Sequence, residues 1–60
     1  MWIITQHSGV INTNAVTRFI EHTYGTFAQC GNASYNISED RILTTIVEAL
    51  KSGQDFLEVE

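Results

Sequence analysis

The fullest helical period in this chain runs over residues 42–50, and that restricts the fold more than any other feature. Ile42, Leu43, Ile46, Val47 and Leu50 recur at spacings of one, three and four, which gathers them on a single helical face. The flanks agree with a helix from about Glu39 to Ser52. Ser38 is a good N-cap, Glu39 and Asp40 suit the positive end of the helix dipole, and Ile37 with Ile42 fits a hydrophobic staple. Asn36 as cap with Glu39 three residues on is a second register that keeps the same apolar stripe. Lys51 falls in the last turn, and Gly53 is placed to end the helix in the left-handed conformation.

Before the helix the chain is rich in Ile, Val, Thr, Phe and Tyr, residues that pack well on a pleated, half-buried surface. His7-Ser8-Gly9, Asn12-Thr13-Asn14, Tyr24-Gly25 and Gly31-Asn32 interrupt these runs with turn-forming residues, and Ser52-Gly53 follows the helix. Strands are expected at Trp2–Gln6, Gly9–Asn12, Val16–Thr23, Thr26–Cys30 and Ser34–Ile37, with hairpins about Ser8 and about Tyr24-Gly25. Val16, Phe19, Ile20 and Tyr24 also fit helical spacing, but their β-branched and aromatic character favours a strand. Phe56–Val59 is apolar enough to return as an edge strand or to cross to a partner subunit. The expected architecture is α+β: a small antiparallel β-sheet of four to five short strands, covered on one face by a single C-terminal amphipathic helix.

Sixty residues form one domain, 1–60, at the lower edge of independent folding. In a chain this short, apolar burial and the entropy of ordering nearly cancel, and a lone Cys30 cannot form an intrachain disulfide. Trp2, Phe19, Phe27, Tyr35 and Phe56 exceed what one short helix can shelter, so a homo-oligomer is expected. Arg18, Arg41 and Lys51 are the only basic side chains, against seven acids and a net charge of −4. Such a chain neutralises few phosphates, which argues against duplex nucleic acid as a partner. Without a signal-peptide pattern or a long apolar run, the expectation is a soluble, cytoplasmic protein with no membrane partner.

Residues able to carry chemistry are few. His7, His22 and Cys30, with Asp55 or a glutamate, lack the spacing of a zinc motif, so no metal site is expected. A Cys30–His22 nucleophile pair oriented by Asn32 would also need an oxyanion hole and a cleft, which a domain of this size seldom encloses. The simpler assignment is a turn histidine, a strand-end histidine and a small packed thiol. Neither phosphate-loop glycine pattern occurs. The expectation is therefore a protein without catalytic residues or cofactor. Trp2, Tyr24, Tyr35 and Phe56 remain as surface aromatics, with Arg18 and Arg41 as the side chains able to meet a phosphate.

Met1-Trp2-Ile3-Ile4-Thr5-Gln6, followed by a polar turn and Val10-Ile11-Asn12-Thr13-Asn14-Ala15-Val16, resembles small phage and prophage-type proteins of Gram-positive bacteria. The resemblance covers the first sixteen residues by pattern and the remainder by element order. It implies an accessory protein of the infected or lysogenic bacterial host cytoplasm, of a kind often directed against host defence. Two modes of action follow as expectations: inhibition of a host protein by protein–protein binding, or sequestration of a nucleotide signal in a pocket between subunits.

Overall fold

A computed structural model describes residues 1–59. The chain runs through β1 (Trp2–Ile4), β2 (Val10–Asn12), a 3-10 turn (Thr13–Ala15), β3 (Arg18–His22), β4 (Gly25–Cys30), β5 (Ala33–Ser38), α1 (Leu43–Lys51) and β6 (Phe56–Glu58). All five expected strands before the helix are present, including β3 where a helix competed. The Phe56–Val59 segment returns to its own chain as an edge strand.

The sheet arrangement corrects the expectation of one antiparallel sheet. The strands divide into two sheets of three, ordered β2-β1-β6 and β3-β4-β5. The second is an antiparallel meander, as short links require. The first is mixed: β1 pairs antiparallel with β2 but parallel with β6, in the register Trp2 with Phe56, Ile3 with Leu57 and Ile4 with Glu58. A parallel pair needs a long crossover, and here everything between the first and last strands supplies it.

The core lies between the sheets and the helix. Ile3 and Ile11 enter it from the first sheet, Ala28 and Ile37 from the second, Ile46 from α1 and Val59 from the segment after β6. A β-bulge where Thr26 gives way to Phe27 sets Thr26 opposite Ser38 but Phe27 opposite Asn36, leaving Ile37 as the extra residue. The bulge explains why two successive residues, Ile37 and Ser38, are both buried. None of the six aromatic side chains is fully buried, so the centre of the core is aliphatic and small, with the half-buried Phe19 packed against it.

The helix departs from expectation at its first end and along its face. It begins at Leu43, and Ile42 is its cap residue with no side-chain cap of its own. Ser38 instead ends β5, where its hydroxyl accepts from the Asp40 N–H at 3.0 Å, while Asn36 lies inside β5. Glu39 and Asp40 are therefore exposed linker residues rather than first-turn acids. The buried line runs through Ile46 and Ala49, whereas Val47 and Leu50 are exposed. The helix packs beside β3 along this line, so only part of its apolar stripe is covered.

Side chains distant in sequence replace the missing local cap. The buried Thr26 hydroxyl accepts from the Ile42 N–H at 2.9 Å and donates to the Asp40 carbonyl at 2.9 Å. A Glu21 carboxylate oxygen accepts from the Leu43 N–H at 3.0 Å, satisfying one of the free donors of the first turn. Close by, Gly25 has φ +125°, and a Cβ there would stand 2.2 Å from the Ser38 carbonyl oxygen. Only glycine lets β4 approach the β5–α1 link so closely.

Candidate functional site

Alternation along β1 turns Ile3 into the core and leaves Trp2 and Ile4 on the opposite side. Pairing extends the division to both neighbours. Ile11 and Leu57 share the inner side with Ile3, while Val10, Asn12, Phe56 and Glu58 share the outer side with Trp2. On this outer face Trp2 is 44% exposed, Val10 59% and Phe56 62%. Trp2 and Phe56 are direct partners in the parallel ladder, so two of the surface aromatics expected from the sequence come together. Glu58 is the one charged side chain on the face among the described residues.

The other named residues are dispersed. Tyr24 sits at the β3–β4 turn, 78% exposed, and Tyr35 is an exposed residue of β5. Arg18 donates through Nε to Gln29 Oε1 at 2.7 Å. Arg41 Nε lies 3.4 Å from Glu21 Oε1, beside the helix start. Arg18 and Glu21 alternate to opposite faces of β3, so the two guanidinium groups serve different sides of the second sheet. The described residues enclose no pocket, and no group of three or more His, Cys, Asp or Glu among them could hold a metal ion.

The Cys30–His22 pair is not assembled. His22 pairs with Gly25 at one end of β4 and Cys30 is at the other, about 17 Å away at the usual rise of ~3.4 Å per residue. His22 has a different set of neighbours: its ring stacks on Phe27 with centroids 4.7 Å apart and meets Tyr24 edge-on at 5.7 Å. Its Nδ1 accepts from the Tyr24 N–H at 3.2 Å, which holds the ring. Sequence reasoning missed this cluster. The signal was the hairpin register, because pairing His22 with Gly25 makes Phe27 the diagonal neighbour.

Among the described residues no helix is long and apolar enough to cross a membrane. No protein-family model, curated protein or solved structure matches the chain. The functional reading therefore rests on the arrangement of its side chains.

Proposed function

We propose that this chain is a non-enzymatic accessory protein of phage type that inhibits a host defence factor by protein–protein binding in the bacterial cytoplasm. The outer face of β2-β1-β6 carries the reading: Trp2 and Phe56 stand side by side in register, Val10 lies on the same face beside Ile4, and all three are open to water. Tryptophan and other large aromatics at the centre of a patch are the side chains that dominate protein interfaces once desolvated. The phage-type part is supported by the resemblance of the first sixteen residues.

Sequestration of a nucleotide is the second reading. It draws support from the exposed rings, and less from the arginines, since Arg18 is held by Gln29 and Arg41 by Glu21. Self-association rests on a separate observation, that four of the six aromatic side chains, Trp2, Tyr24, Tyr35 and Phe56, are exposed on one chain. Sedimentation analysis tests it, and a monomer at micromolar concentration overturns it.

The functional test uses bacteria that carry individual defence systems and express either the native chain or a Trp2→Ser, Phe56→Ser variant. The native chain restores phage plaques against at least one system, and the variant, folded by NMR, does not. Failure of the native chain against every system, or full activity of the variant, overturns the reading.

A further inference from the structure

The outer face continues into a strand edge, because among the described residues β6 pairs only with β1 and both Phe56 and Glu58 are exposed. In the parallel ladder the Trp2 N–H donates to the Asp55 carbonyl at 2.8 Å and the Val59 N–H to the Ile4 carbonyl at 2.8 Å. Asp55, Leu57 and Val59 thus turn their backbone groups toward β1, while Phe56 and Glu58 turn theirs away from it. The other edges differ. The first-turn Leu43 N–H meets Glu21 beside β3, and the Ser8 hydroxyl donates to the Asn36 carbonyl on β5 at 2.7 Å. β2 has no charged residue that could select a partner.

Area and charge together choose the occupant. At the stated exposures, Trp2, Val10 and Phe56 offer roughly 300 Å² of side-chain surface. A standard interface needs about 800 Å² from each partner, around a fifth of the 4082 Å² that this chain exposes. The flat face alone is too small for a stable two-fold dimer. An added strand needs less, because main-chain hydrogen bonds supply affinity and alternate side chains supply selectivity. Asp55 and Glu58, both exposed, flank Phe56 on a chain of net charge −4. Two copies joined at this edge would set like charges side by side, so its carboxylates oppose β6–β6 pairing while favouring a cationic strand.

We propose that the open side of β6 receives an extended, basic segment of a partner protein. The segment adds as a fourth strand beside Phe56–Glu58, with an apolar and a basic side chain two residues apart lying next to Phe56 and Glu58. This deepens the protein-binding reading and depends on it for the identity of the face.

The test titrates the isotope-labelled chain with a synthetic octapeptide, Val-Thr-Lys-Thr-Val-Thr-Lys-Thr, which sets valine and lysine two residues apart on one strand face, and with its counterpart carrying glutamate for lysine, while following backbone amides by NMR. The lysine peptide shifts the Phe56 and Glu58 amides most, and the glutamate peptide shifts nothing. Glu58→Thr keeps the outward N–H but removes the charge, and it weakens binding about tenfold. Glu58→Pro also removes that N–H without touching the β1 ladder, and binding is lost. Unchanged Ile3 and Ile46 amides report an intact core in both variants. Equal binding by the two variants, equal binding by the two peptides, or no binding of the lysine peptide to the native chain overturns strand addition. Any of these results, with the Trp2→Ser, Phe56→Ser variant still inactive against defence, leaves the protein-binding reading standing. Edge binding that persists while the native chain relieves no defence system overturns that reading instead.

Discussion

The two ends of α1 solve the same problem in opposite ways. At its C-terminus the Gln54 N–H donates to the Ala49 carbonyl and the Gly53 N–H to the Leu50 carbonyl, with Gly53 at φ +71°. This is a Schellman closure, complete within six consecutive residues. At its N-terminus the corresponding groups are met by Glu21 and Thr26 from β3 and β4, with Gly25 admitting the link that carries Asp40 and Ile42. One end is held by neighbours in sequence and the other by the meander. The second sheet thereby orders the start of the helix as well as packing against it.

Breaking the long-range end is expected to cost more than breaking the local one. Gly25→Ala forces a Cβ into the Ser38 carbonyl at an unfavourable φ, so a loss of more than about 3 kcal/mol is expected, read by urea unfolding. That is enough to unfold much of a marginally stable domain. Thr26→Val keeps the shape but strands the Ile42 N–H and the Asp40 carbonyl, costing about 2–3 kcal/mol. Faster amide exchange at Ile42 than at Ala49 separates this effect from general unfolding. Glu21→Ala removes the Leu43 acceptor and the Arg41 partner for about 1 kcal/mol. Glu21→Gln retains an amide oxygen and recovers more than half of that loss, whereas equal losses would mean that the charge, not the acceptor, holds the helix. Gly53→Ala meets open space and suffers only from its positive φ, so about 1 kcal/mol or less is lost in thermal melts, with fraying confined to Leu50–Ser52.

The same contrast explains what could be read before the structure. Gly53 and Lys51 mark the helix end because the closing bonds are local, and strands between glycine or asparagine turns were legible for the same reason. Ser38, Glu39 and Asp40 look like a helix start, yet the buried Thr26 hydroxyl draws the linker into another path. Nothing in a one-dimensional pattern says which distant side chain will reach a helix terminus. The split into two sheets was hidden likewise, since Trp2-Ile3-Ile4 fits any central strand and its parallel partner lies beyond the helix. Of the candidate surface, Trp2 and Phe56 were identifiable as residues, but their juxtaposition was not. Their outward direction depends on Ile3 and Leu57 sharing the core side of a pair that only tertiary structure creates.

The parallel pairing of Trp2 with Phe56 also sets an order of events in time. The β3–β4–β5 meander and α1 can form from nearby residues, but β1 gains its second neighbour only after the whole intervening chain has been made. At synthesis rates of about 5–20 residues per second, the β1–β2 hairpin waits on the order of several seconds with one edge unpaired. For that interval it is an open template, and the strand that closes it comes from beyond the helix.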